Sequence, residues 1–105
     1  MPQNKRYKVK MSRDSAKDLS NILHYIKYKL KNPIASANLK EEIYKKIYER
    51  AYSPLSFKKY DFKEEKMHTY YTIQVNNYTV FYIIQKNTMI IARISYSRRN
   101  FEELI

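Results

Sequence analysis

Three runs of apolar, β-branched and aromatic residues predict strands in the second half of the chain: His68–Val75, Tyr78–Gln85 and Thr88–Tyr96. Only two residues separate consecutive runs, Asn76-Asn77 and Lys86-Asn87. Joints this short require antiparallel hairpins, and asparagine tolerates the positive φ that such turns demand. The middle run is apolar at both odd and even positions, which is typical of a central strand. The pattern therefore predicts a three-stranded antiparallel meander.

Upstream of the meander, apolar residues recur every three or four positions and predict two helices. The first begins after Ser12 as its N-cap and stops at Asn32. The second runs from about Pro33 to Tyr52, and the joint is too short for anything but an antiparallel helical hairpin. A short alternating run, Arg6–Met11, predicts one more strand before the helices. The stripe residues expected to be buried are Leu19, Ile22, Ile26, Leu30, Ile43 and Ile47.

The alternation of side chains assigns the two faces of the last predicted strand. Ile90, Ala92 and Ile94 share one face, and we expect that face to pack against the helices. Arg93 would then point away from the helices. The predicted class is α+β, a small antiparallel β-sheet packed against an N-terminal α-helical hairpin in the order β-α-α-β-β-β. A chain of 105 residues suits one domain, residues 1–105.

The charge balance favours a polyanionic partner. The formal net charge is +11, from 21 Lys and Arg residues against 10 Asp and Glu residues. Nucleic acid, the ribosome, an acidic membrane and an acidic protein are all compatible with such an excess. An AT-rich genome would also produce a lysine-rich composition without any selection for binding, so the charge alone does not choose a partner.

Other features of the composition exclude several classes of protein. The chain has no cysteine, which excludes a disulfide scaffold and a thiolate metal site. His24 has no second ligand at metal-binding spacing, so we expect neither a metal nor another cofactor. No apolar run approaches the roughly 18 residues of a membrane span. The first ten residues are charged with no hydrophobic segment behind them, which argues against a signal peptide and for the cytoplasm.

Several local patterns occur together in one order along nearly the whole chain. They are Tyr7-x-Val9-x-x-Ser12-x-x-x-Ala16-x-Asp18-Leu19, Tyr25-Ile26, Leu30-x-Asn32-Pro33-x-Ala35, Asn77-Tyr78-x-Val80-Phe81-Tyr82 and Arg93-Ile94-x-Tyr96-x-Arg98-Arg99-Asn100. Together they resemble the RelE/ParE superfamily of toxins from bacterial type II toxin–antitoxin systems. The resemblance implies a sheet packed on a helical hairpin, which agrees with the elements predicted above.

The resemblance also implies a partner and leaves two targets open. A co-expressed antitoxin, expected to be acidic and to bind through a helical segment, would cover the toxin. RelE-like members enter the ribosomal A site and cut mRNA. ParE-like members poison DNA gyrase and are not nucleases.

RelE-type cleavage sets requirements that can be compared with these residues. The RNA 2′-OH attacks the neighbouring phosphate, which requires a base, an acid for the leaving oxygen and cations for the charge on phosphorus. The resemblance implies Arg98 as the strand-end arginine of the nuclease members. The other catalytic candidates are Tyr96, His68 and Arg93, and the candidates for RNA binding are Lys58, Lys59, Arg93, Arg98 and Arg99.

Two positions depart from the nuclease pattern. Gln74 stands roughly where the nucleases carry a phosphate-binding arginine, and Leu104 stands in place of a C-terminal tyrosine. The net charge and the arginines of the last strand favour a ribosome-dependent, metal-independent endoribonuclease with ribosome and mRNA as partners. The alternative is a ParE-like inhibitor of DNA gyrase without nuclease activity, which the missing arginine at Gln74 favours.

Overall fold

The structure is a computed structural model, and it describes residues 5–105. Residues 1–4, on which the expectation of no signal peptide partly rests, lie outside the described residues. The elements in chain order are strand β1 (Lys8–Met11), helix α1 (Arg13–His24), a π-helical turn (Tyr25–Lys29), helix α2 (Pro33–Arg50), strands β2 (Tyr71–Val75), β3 (Tyr78–Gln85) and β4 (Thr88–Tyr96), and the short helix α3 (Phe101–Leu104).

The two long helices form the predicted hairpin, and side chains cap both of them. The Ser12 hydroxyl accepts a hydrogen bond from the Ser15 N–H at 3.0 Å, so α1 starts at the predicted cap. Asn32 accepts in the same way from the Ala35 N–H at 3.0 Å, ahead of α2. The Ser36 hydroxyl donates to a carbonyl of α1 at 2.9 Å and joins the two helices.

The helical stripe is buried as predicted except at one end. Leu19, Ile26, Ile43 and Ile47 are buried, and Ile22 packs against them partly exposed. The prediction for Leu30 was wrong, because its side chain is 57% exposed. Leu30 follows the π-helical turn, where each residue advances less around the axis than in an α-helix. A stripe extrapolated at 3.6 residues per turn therefore misplaces it.

The sheet has the strand order β1-β4-β3-β2. β2, β3 and β4 form the predicted antiparallel meander, and the turns between them place Asn76 and Lys86 at positive φ, 52° and 56°. β1 pairs with β4 in parallel, so the sheet is mixed rather than wholly antiparallel. The helical hairpin supplies the long crossover that a parallel neighbour needs. The α+β class, with a sheet against a helical hairpin, is confirmed.

A β-bulge changes the face assignment of β4. The register shifts so that Phe81 lies opposite Arg93 while the next residue of β3 lies opposite Ile91, which leaves Ala92 as the extra residue. Met89, Ile91 and Ile94 belong to the core, whereas Ile90 and Ala92 are only partly buried. The prediction that Ile90 and Ala92 face the helices was therefore wrong, because strict alternation does not survive the bulge.

Candidate functional site

The second half of β4 has no strand on the side where β1 ends, and α1 closes that edge instead. The Ser12 N–H donates to the Ile91 carbonyl at 3.0 Å, and its hydroxyl donates to the Ala92 carbonyl at 2.9 Å. Farther along, the Asp18 carboxylate accepts from the Ile94 N–H at 3.0 Å. A single carboxylate on the helix thus satisfies a backbone donor that a neighbouring strand would otherwise pair.

Arg93 is held by the same carboxylate. Its Nε donates to Asp18 at 2.8 Å and its Nη2 donates to the second carboxylate oxygen at 3.0 Å, which makes a bidentate pair. Its Nη1 donates to the Leu104 carbonyl at 3.3 Å. The hydrogen bonds that Arg93 donates to the Asp18 carboxylate raise the pKa of Arg93 above its ordinary value. The expectation that Arg93 points away from the helices was wrong, because its guanidinium joins α1 to α3 across the edge of β4.

The other residues predicted at the end of β4 are accessible. Tyr96 is 46% exposed, and Arg98 and Arg99 are exposed in the turn before α3. The Ser97 N–H donates to the Asn77 carbonyl at 2.8 Å, which ties this turn to the β2–β3 hairpin.

Gln74 is part of a closed polar network. Its amide nitrogen donates to the Ser97 hydroxyl at 2.7 Å, and its amide oxygen accepts from the Thr79 hydroxyl at 3.0 Å. The Thr79 and Ser97 hydroxyls lie 2.8 Å apart. The position that the nuclease pattern assigns to a phosphate-binding arginine therefore carries a neutral amide engaged with its neighbours.

A groove of about 650 Å³ runs between α1 and the end of β4; we call it the α1–β4 groove. Its walls are largely apolar, and Tyr78 and Tyr96 meet in it edge to face with ring centroids 5.9 Å apart. Burial raises the pKa of Tyr78. Arg99 lies at the groove, and the other principal lining residues are Ile22, Tyr25 and Leu30.

No pattern in the sequence indicates this groove as a site. Tyr25 is the first residue of the π-helical turn and Leu30 follows its last residue, and both side chains are more than half exposed. The available signal for Tyr25 was that a large, largely apolar side chain lies outside the buried stripe of the helix. Leu30 carried no such signal, because the regular helical period assigns it to the core.

The residues that the sequence predicted to form one RNA-binding and catalytic site lie in different parts of the structure. Tyr96 and Arg99 line the α1–β4 groove, and Arg93 is engaged by Asp18. Lys59 and His68 line a second cleft, formed by the segment that precedes β2. Lys58 is exposed in that segment, and His68 is exposed ahead of β2 rather than within it.

An aromatic cover occupies the face of the sheet opposite the helical hairpin. Phe81 is fully buried beneath Tyr60, Phe62 and Phe101, with ring centroids 5.7, 6.1 and 4.8 Å away. Glu102 fastens the cover: the Lys63 N–H donates to its carboxylate at 2.6 Å, and Lys66 lies 3.8 Å from it. This face therefore presents a packed aromatic cluster.

The range from residue 5 to residue 105 contains no group of three or more His, Cys, Asp and Glu side chains placed to hold a metal ion. No helix within it has the length and apolar character needed to cross a membrane.

Comparison with known proteins places the chain in a family. Residues 9–101 match the family described as the ParE toxin of the type II toxin–antitoxin system parDE. The chain therefore belongs to the ParE toxin family, within the RelE/ParE superfamily. A solved structure described as the chromosomal ParDE toxin–antitoxin system from P. aeruginosa has a similar fold, with a TM-score of 0.67. It is 17% identical and the match covers 87% of this chain and 96% of that chain. No curated protein matches the sequence.

Family membership corrects the expectation about activity. The expected ribosome-dependent endoribonuclease was wrong, because the match is to the ParE toxins rather than to the nuclease branch. The roles expected of Arg98, Tyr96, His68 and Arg93 were tied to that activity, and they stay predictions. The ribosome and mRNA find no support as partners, whereas a cognate antitoxin follows from membership of a toxin–antitoxin family.

Proposed function

We propose that this toxin acts on DNA gyrase and that an antitoxin neutralises it by docking in the α1–β4 groove. The match to the ParE toxin family over residues 9–101 carries the proposal for the target. The aromatic cover over Phe81 and the neutral Gln74 network agree with it, since neither supplies the cations that phosphate cleavage demands.

The chemistry of the groove suits an acidic amphipathic segment. The tyrosine side chains of the groove offer a large apolar area with few rotamers to fix, and interfaces favour aromatic residues at their centre. Arg99 lines the groove and Arg98 precedes it in the same exposed turn, so carboxylates beside the apolar residues of the segment would meet cations. The net charge of +11 would attract the same partner from a distance.

The target is tested by inducing the toxin in cells without antitoxin. We expect growth arrest with relaxed or broken plasmid DNA, while mRNA mapped by primer extension remains intact. Purified toxin should inhibit supercoiling by gyrase in the absence of ribosomes. Cleaved mRNA with normal supercoiling would overturn the proposal.

The antitoxin site is tested with a pair of matched tyrosine substitutions. Tyr25 lines the groove and is 53% exposed, whereas Tyr52 lies outside it and is 54% exposed. The antitoxin used is the protein encoded by the neighbouring open reading frame. We expect Tyr25→Ala to weaken the binding of this antitoxin to the toxin at least about tenfold, the loss typical of a central aromatic contact. Tyr52→Ala should bind like the wild type. Equal binding by both variants would place the antitoxin elsewhere.

A further inference from the structure

The connection between the two long helices is unusually exposed. Every residue from 27 to 34 is exposed, and we call this segment the hairpin tip. Three of its members are large and apolar: Tyr28 is 57% exposed, Leu30 57% and Ile34 73%. Single exposed apolar residues are common, but several within one short segment mark an interaction surface.

The backbone of the hairpin tip departs from regular helix. The Leu30 N–H bonds to the Tyr25 carbonyl at 3.0 Å, and the Asn32 N–H bonds to the Ile26 carbonyl at 3.0 Å, so both bonds span more residues than α-helical ones. Lys31 has a φ of 53°, a left-handed conformation that costs about 1 kcal/mol for a side chain with a Cβ. π-Helical turns are frequent at functional sites.

The stretch of sequence that contains the hairpin tip carries charge of a single sign. No Asp or Glu occurs between positions 19 and 40, while lysine occupies positions 27, 29, 31 and 40. Lys27, Tyr28 and Lys40 line one shallow depression on the helical hairpin. Cations and apolar side chains therefore alternate along the hairpin tip without an internal acidic partner.

We propose that the hairpin tip is the surface with which the toxin contacts gyrase, and that it binds an acidic patch of that protein through Ile34 and the tip lysines. The inference rests on the proposed function, because it assigns a contact surface for the same target. Lysine ammonium groups would pair with carboxylates around an apolar contact, the arrangement of a polar rim around a buried centre.

The composition of the tip favours a protein over nucleic acid or lipid. Recognition of single-stranded nucleic acid needs cations along the backbone and several aromatic rings on which bases stack. The tip has lysines but only one aromatic residue, Tyr28, beside the two aliphatic residues Leu30 and Ile34. Insertion into a membrane surface needs a longer apolar face rich in Trp, Phe and Leu.

Two variants and two matched control variants test the inference. Ile34→Ser removes the most exposed aliphatic residue of the tip, and Leu55→Ser removes another that is 54% exposed in the loop before β2. Lys27→Gln/Lys29→Gln neutralises two tip lysines, and Lys8→Gln/Lys10→Gln removes the same charge from exposed positions of β1. Unchanged thermal unfolding would show that each variant is folded.

The readout is the concentration of purified toxin that half-inhibits supercoiling by gyrase, together with binding to gyrase without DNA. We expect each tip variant to need at least about tenfold more toxin, as for loss of a central contact, and each control to behave like the wild type. Tip variants that inhibit and bind like their controls would overturn the inference while leaving the proposed function intact. A wild-type toxin without effect on gyrase would overturn both.

Two further measurements exclude the other kinds of partner. The same variants are compared for binding to the plasmid DNA alone and to vesicles of phosphatidylglycerol. Loss of either binding with full inhibition of gyrase would overturn the inference and reassign the tip to that partner.

Discussion

At the scale of single residues, Asp18 makes the contacts on which the end of β4 depends. Its carboxylate binds the Arg93 guanidinium twice and the Ile94 N–H once, and its side chain is only 15% exposed. Removing it leaves a partly buried guanidinium and an unpaired backbone donor. The apparent basic site at Arg93 is therefore an ion pair that positions the groove wall.

We expect Asp18→Ala to lower the free energy of unfolding by about 2–4 kcal/mol, because removing the carboxylate leaves the partly buried Arg93 guanidinium without its partner. Urea denaturation measures the loss. Asp61→Ala, at an exposed position, serves as the control and should change stability by less than about 0.5 kcal/mol. Similar losses for the two variants would contradict the role given to Asp18.

Tyr82 joins the sheet to the segment after α2. Its hydroxyl donates to the Pro54 carbonyl at 2.7 Å and accepts from Arg50 at 2.9 Å, and the residue is fully buried. Burial raises the pKa of Tyr82, although the hydrogen bond from Arg50 opposes the shift. The phenol is thus neutral in the folded state at pH values where the unfolded chain begins to ionise.

We expect stability to fall as the pH rises above 10, since the unfolded state then releases a proton that the folded state retains. The contribution is fully present below pH 10 and is lost as the pH rises through the folded pKa. Tyr82→Phe should cost about 1–3 kcal/mol at neutral pH through its hydrogen bonds and should flatten this alkaline decline. Denaturant titrations at pH 8 to 11 provide the comparison, and an unaltered slope in the variant would refute the assignment.

At the scale of elements, the β3–β4 hairpin depends on a turn that lysine fits poorly. Lys86 adopts a φ of 56°, which favours glycine or asparagine. The exposed β1 position Lys8 has no such requirement, because extended backbone suits any side chain. The two lysines therefore separate the effect of turn conformation from that of losing a surface charge.

We expect Lys86→Gly to leave the melting temperature unchanged or to raise it, because relief of the left-handed strain offsets the greater entropy of the unfolded chain. Lys8→Gly, inside a strand, should destabilise by about 0.5–1 kcal/mol. Thermal unfolding by circular dichroism distinguishes the two, and equal destabilisation would argue against strain at Lys86.

At the scale of the whole molecule, the net charge of +11 would act together with the proposed apolar docking surfaces. Exposed charges attract over about a Debye length, roughly 10 Å at 0.1 M salt, whereas buried apolar contacts are not screened. The net charge should therefore speed the association of the antitoxin, and contacts with the tyrosines of the α1–β4 groove should slow its dissociation.

We expect the association rate constant for the antitoxin to fall as salt rises from 0.1 M to 0.5 M, while the dissociation rate changes much less. Surface plasmon resonance measures the two separately. A dissociation rate that rises as steeply as association falls would show that the interface is held mainly by exposed charges.

The sequence by itself determined the elements whose causes are local. β3 and β4 have the predicted bounds because two-residue joints admit only tight hairpins. The starts of both helices follow from the local sequence, with Ser12 ahead of α1 and Asn32-Pro33 ahead of α2. The α+β class follows from the order of the helix-type and strand-type hydrophobic patterns along the chain. A segment with one of these patterns cannot bury its apolar residues in the other conformation.

Only the tertiary structure decided which surfaces remain open and where the charged residues point. The bulge at Ala92 depends on how β3 and β4 fit together, and it undoes the alternation from which Arg93 was oriented. The π-helical turn leaves Leu30 exposed and contributes to the wall of the α1–β4 groove. The regular 3.6-residue period of an α-helix does not predict either feature. Long-range contacts, such as Asp18 with Arg93, join residues far apart in the chain, so their partners are fixed by packing rather than by local pattern.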